Sequence, residues 1–83
     1  MPDRIKKFIE QDPQIKNGMP IITGTRVTVA EIIDYLEEEK FIDKVIKDLK
    51  MAGVIIGREE ILAALEFAKL RASDEAPTSK KTK

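Results

Sequence analysis

Apolar positions fall into short runs whose spacing changes along the chain. Ile5, Phe8 and Ile9 are helically spaced, with Asp3 as a candidate N-cap, while "FIEQDP" also reads as a strand entering a turn. The next stretch, "QIKNGMPII", carries a turn signal. Asn17-Gly18 suits the two positive φ angles of a type I′ hairpin, which would pair Lys16 with Met19 and set Ile15 opposite Pro20. The alternative is a longer loop over 12–19 joining strands at 8–11 and 20–22. Thr28-Val29-Ala30-Glu31 then has the form of a capping box, with Val27 and Ile32 at the staple positions.

Between Val29 and Lys50 the propensity is helical, but the apolar phase shifts. Val29, Ile32, Ile33 and Leu36 share one face; Ile42, Val45, Ile46 and Leu49 share another, about half a turn away. One straight helix cannot present both to a single core. The phase predicts a bend at 38–41 and two helices, over 29–38 and 41–50. Gly53 and Gly57 then bracket Val54-Ile55-Ile56, a turn with a short extended piece. A last helix is expected over 58–72, with Ile61, Leu62, Ala64, Leu65 and Ala68 inward and Phe67 and Leu70 off that stripe. The end, 73–83, is polar, contains Pro77, and reads as a disordered tail. The expected architecture is mainly α: a short N-terminal β-ribbon followed by a three-helix, helix-turn-helix-like domain at 1–72.

Composition narrows the function classes. The 83 residues suffice for one small domain, and 42% hydrophobic content is too apolar for a disordered chain. A core this small favours oligomerisation. Without cysteine or histidine the chain has no thiolate or imidazole chemistry. No nucleophile–base pair, metal spacing or cofactor motif is visible, so an enzyme is not expected, nor a small-molecule substrate. The start, Met1-Pro2-Asp3-Arg4, is unlike a signal peptide and no apolar run reaches membrane-spanning length, which predicts a cytoplasmic protein.

The order of ribbon and helices, together with Asp12-Pro13, Ile15, Gly18, Pro20, Ile22, Gly24-Thr25-Arg26 and Val29, resembles the small prokaryotic family called domain of unknown function 433. "REEILAALEFA", 58–68, resembles that family's closing helix. The resemblance spans about 9–70 and favours a strand at 8–11. It implies a helix-turn-helix-like, often dimeric protein. It also implies the antitoxin of a toxin–antitoxin pair, which masks a PIN-like nuclease toxin and binds operator DNA. The chain departs from the family pattern at Glu39-Lys40-Phe41, where glycine and serine are usual. It departs again at "LKMAGVIIG", which is long for a helix-turn-helix turn of about three or four residues.

Formal charge is zero, with fifteen residues of each sign, whereas nucleic-acid binders are usually basic. Candidate DNA contacts are Arg26, Lys47, Lys50 and Arg58. Arg4, Lys6 and Lys7 form another basic edge, more simply read as solvated. The residues 29–50 carry seven acids against four lysines, which suits a basic protein partner at least as well as DNA. Val54, Ile55, Ile56, Phe67 and Leu70 are candidates for a partner or dimer surface, or for completing the core. Gly24, Thr25, Thr28 and Glu31 read as structural signature. On that reading Gly24 takes a positive φ and Arg26 pairs with a carboxylate or caps carbonyls, which outweighs a phosphate or partner contact. A protein-interaction or dimerisation module that never touches DNA is the competing reading of the whole chain.

Overall fold

The computed structural model describes residues 2–39 and 41–75. Its elements run α1 (Asp3–Phe8), β1 (Ile9–Glu10), β2 (Ile21–Ile22), α2 (Val29–Glu38), α3 (Ile42–Met51) and α4 (Arg58–Glu75). The expected mainly helical fold with a small ribbon is present, with a short fourth helix in front of it. Both readings of the first segment hold in succession: α1 runs as far as Phe8, and the strand begins at Ile9. Pro2, not Asp3, occupies the N-cap position, and no side chain caps that end.

The ribbon is antiparallel, with Ile9 opposite Ile22 and Glu10 opposite Ile21. Asn17-Gly18 takes the expected type I′ torsions (Asn17 φ 58°, ψ 31°; Gly18 φ 80°), and the Met19 N–H donates to the Lys16 carbonyl (3.1 Å), but no strands flank the turn, so Ile15 and Pro20 form no hairpin ladder. The ten residues between the strands make two successive turns instead. In the first, the Asp12 carboxylate accepts the Gln14 N–H (2.9 Å) and its carbonyl accepts the Ile15 N–H (2.8 Å). In the second, Lys16, Asn17 and Gly18 all take left-handed torsions, with φ of 51°, 58° and 80°. Three such residues in a row are costly for an L-chain, about 1–2 kcal/mol for each non-glycine. Pattern reasoning gives no hint that a lysine would accept φ > 0.

β2 returns on itself through Thr23-Gly24-Thr25-Arg26. Ile22 N–H donates to the Val27 carbonyl (2.9 Å), and Thr28 bridges back to Ile21. Gly24 takes φ 82°, as this tight reversal requires. The Thr25 hydroxyl donates to the Ile22 carbonyl (2.8 Å) and accepts the Val27 N–H (3.0 Å), closing the turn from inside.

The phase break separates α2 from α3, as expected, although α3 starts at Ile42, with Phe41 at its N-cap position, and ends at Met51, one residue later at each end than the pattern predicts. α3 ends in a Schellman arrangement: Val54 N–H donates to the Leu49 carbonyl (2.8 Å) and Gly53 N–H to that of Lys50 (3.0 Å), with Gly53 at φ 90°. Six residues then lead to α4, whose start is half a capping box. Glu60 reaches back to the Gly57 N–H (3.0 Å), while Gly57 has no hydroxyl to return.

α4 is the central helix, in contact with α1, α2, α3 and β1. It buries Ile61, Ala63, Ala64 and Phe67 against Ile5, Ile9, Ile22, Val29, Ile32, Val45, Leu49 and Ile56. The expected inward stripe needs correction here: Leu65 is exposed and Phe67 is buried. A helix packed on several sides buries a broad sector, so the single-stripe rule underestimates it. The helix also continues through Ser73–Glu75, which the sequence assigned to the tail; the remainder of that segment, 76–83, lies outside the described residues.

Candidate functional site: an apolar groove beside the acidic face of α2

The start of α2 is fixed from both sides. The Thr28 hydroxyl accepts the Glu31 N–H (3.0 Å), and the Glu31 carboxylate accepts the Thr28 N–H (2.8 Å). The same Glu31 oxygen takes the Thr28 hydroxyl proton at 3.1 Å. Val29 N–H donates to the Pro20 carbonyl (2.9 Å), which ties the strained loop to the first turn of the helix. The hydrogen bond from the Thr28 backbone, more than the nearby Lys16 charge, holds the Glu31 carboxyl below the usual carboxylate range.

With its ends fixed, α2 shows three faces. Val29 and Ile32 enter the core. Ala30, Ile33 and Asp34 line one side of a groove of about 420 Å³, whose other walls are Phe67, Ala68 and Arg71 of α4 and Gln11, Met19 and Pro20 of the loop. Ala30 and Ala68 contribute only methyl groups to its lining, which leaves room between α2 and α4. Its floor is apolar, and Phe67, 7% exposed, belongs to both core and floor. Its rims carry opposite charge: Asp34 on the α2 side, and on the α4 side Arg71, with its guanidinium carbon 5.7 Å from the centre of the Phe67 ring. Gln11 is already engaged, donating to the Gly18 carbonyl (3.1 Å).

The third face is acidic. Glu31, Asp34, Tyr35 and Glu38 line an adjoining depression, and Asp34 belongs to both. Glu37 follows Asp34 by three residues and Ile33 by four, so it extends the groove rim by one turn. α2 contains no basic residue. Among the described residues, the side chains of Asp34, Glu37 and Glu38 make no hydrogen bond or ion pair.

The residues singled out from sequence are scattered. Arg26 is exposed in the turn before α2 and, among the described residues, its side chain makes neither the ion pair nor the carbonyl contact expected of it. Lys47 and Lys50 are exposed on α3. They follow Asp43 by four and seven residues, and Asp43 pairs with Arg58 at 3.8 Å, so these three cations do share one edge of α3 and α4. No bond links Arg26 to them. Of the apolar candidates, Ile56 is buried in the core and Val54, half-buried, packs against that core, whereas Ile55 and Leu70 remain exposed. Gly24, Thr25, Thr28 and Glu31 build the turn and the cap described above.

Sequence reading missed Met19, Asp34 and Arg71 as groove residues. They lie on segments distant in the chain, and no local pattern connects them. Among the described residues no cluster of side chains could hold a metal ion, and no helix is long and apolar enough to cross a membrane. One buried side-chain oxygen, Oε1 of Glu66, has no hydrogen-bond partner there.

No curated protein and no solved structure matches the chain. A family model does match, over residues 9–68, under the description "Protein of unknown function (DUF433)". That span takes in the ribbon, both loop turns, the capped start of α2 and most of α4, and the chain belongs to this family.

Proposed function

We propose that the protein is a cytoplasmic antitoxin, a homodimer that binds and masks a PIN-like nuclease through the outer face of α2. The observation that carries this reading is the charge of that helix. Asp34, Glu37 and Glu38 are exposed and unpaired among the described residues, beside an apolar groove. A nuclease must bind a polyanion, so its substrate face carries basic groups. A rigid row of carboxylates with an apolar anchor next to it competes for that face. The test is co-expression with the product of the adjacent gene. The two chains are expected to co-purify, and the nuclease to lose activity at equimolar antitoxin. A nuclease that stays fully active in excess of this protein refutes the masking role.

Operator binding is the second reading, favoured by the link between α2 and α3. Its three residues suit a helix-turn-helix, whereas the six-residue link to α4 does not. Lys47, Lys50 and Arg58 would then supply phosphate contacts. A gel shift on the DNA upstream of the gene, repeated across salt concentrations, tests it. Absence of a shift at low salt would leave the interaction role alone.

A further inference from the structure

Taking the masking reading as its basis, we infer that the groove between α2 and α4 receives one amphipathic helix of the partner, with an apolar stripe and a basic flank turned toward α2. The shape of the site argues for a helix. Two helices form its long walls, and the two-residue strands have no free edge of useful length for an added strand. Met19, 46% exposed on the loop wall, is a pliable apolar contact for such a guest.

Charge sets the guest's chemistry and its direction. Asp34 stands at the lip, Glu37 continues it and Glu38 flanks it, all unpaired among the described residues. Glu31 is already held by Thr28 and faces Lys16, so it contributes little. Arg71, on the opposite lip, is the cation that a basic guest must avoid. It suits a carboxylate or the carbonyl end of the incoming helix. A uniformly basic segment therefore fits less well than an amphipathic helix with lysine or arginine on the α2 flank only.

The experiment uses the full chain, isotope-labelled, and two synthetic helices with leucine at i, i+3, i+4 and i+7. One carries lysine on the flank, the other glutamate. The lysine peptide is expected to move the amide signals of Ala30, Ile33, Asp34, Ala68 and Arg71. The glutamate peptide is expected to bind about tenfold more weakly or not at all. Asp34→Lys and Ala30→Phe, both at exposed positions, should each weaken the lysine peptide about tenfold. Asp3→Lys, on α1 and away from the groove, should leave it unchanged. Equal binding of both peptides, or loss with Asp34→Lys but none with Ala30→Phe, overturns the inference, because either means diffuse charge attraction without a seat. So does an Ala30→Phe chain that falls from dimer to monomer, which would make a second copy the occupant. Groove signals in the free chain that shift when Lys80, Lys81 and Lys83 become glutamine would assign the groove to the chain's own terminus, with the same consequence. A nuclease captured equally by the wild type and both groove variants overturns this inference but leaves the masking role standing. If no nuclease is captured while the peptides behave as expected, the masking role fails and the groove's preference is supported.

Discussion

Replacing Thr28 by alanine measures what fixes the helix that carries the candidate site. Thr28 is 3% exposed, and its side chain has two roles. Its hydroxyl caps the Glu31 N–H at 3.0 Å, an interaction whose loss typically costs about 1 kcal/mol. Its methyl group is buried, and removing one such group costs about 0.8 kcal/mol. Together Thr28→Ala should destabilise by about 2 kcal/mol, a large part of what a domain this small has. At about 4–8 °C per kcal/mol, the midpoint should fall by about 8–16 °C.

Two conservative variants separate the terms. Thr28→Ser keeps the cap and loses the methyl, so about 0.8 kcal/mol should go. Thr28→Val keeps the shape and loses the cap. Its extended backbone (φ −81°, ψ 157°) suits valine, so the loss should be near the capping value of about 1 kcal/mol. Urea unfolding with an unchanged m-value reads each difference. A Thr28→Val chain as stable as the wild type would show that the hydroxyl contributes no net stabilisation, and the account of the α2 start would fail.

Three further outcomes follow from local geometry. Because folding lowers the Glu31 pKa, its contribution should be complete above the ordinary glutamate value of about 4.3 and disappear as pH falls through the lowered one. Glu31→Gln should flatten that part of the stability-against-pH curve, and an unchanged curve would contradict the assignment. Gly53→Ala meets open space but must hold φ 90°, so it should cost about 1 kcal/mol in denaturant unfolding, and a gain would contradict the Schellman ending of α3. Gly57→Ser would complete the second capping box and should add a few tenths of a kcal/mol by the same assay; a loss would mean that the Glu60 contact is not a cap.

What the sequence made legible was local and chemical. The Thr28–Glu31 box, the phase break before α3 and the glycine at the end of α3 each depend on residues a few positions apart, and each reads directly. The loop before β2 did not. Asn17-Gly18 gave the type I′ turn it signals, but the left-handed lysine before it is imposed by the surrounding turns rather than by its own preference, and it turns the chain away from the hairpin ladder that the signal suggested. The inner face of α4 was misjudged for a different reason. Which of Leu65 and Phe67 is buried depends on how many neighbours surround the helix. The groove was least legible of all, because its lining residues, among them Ala30 and Ala68, are far apart in sequence.

Charge placement also bears on whether one surface can serve both proposed roles. In a helix-turn-helix the first helix crosses the DNA backbone while the second enters the groove. α2 would be that first helix, yet it carries Glu31, Asp34, Glu37 and Glu38 and no cation. Exposed carboxylates within about 8–10 Å of phosphates are only partly screened, so a docking that buries this face against DNA is opposed. The cations that remain for DNA are on another edge, with Lys47 and Lys50 of α3 beside Arg58 of α4. If both roles exist they must use different faces, and an antitoxin holding its nuclease through α2 could keep the α3 edge free for DNA. Reversing Lys47 and Lys50 should then abolish operator binding and spare the nuclease, and Asp34→Lys should do the opposite. Loss of both activities from either change would mean one shared surface, which the distribution of charge on α2 and α3 argues against.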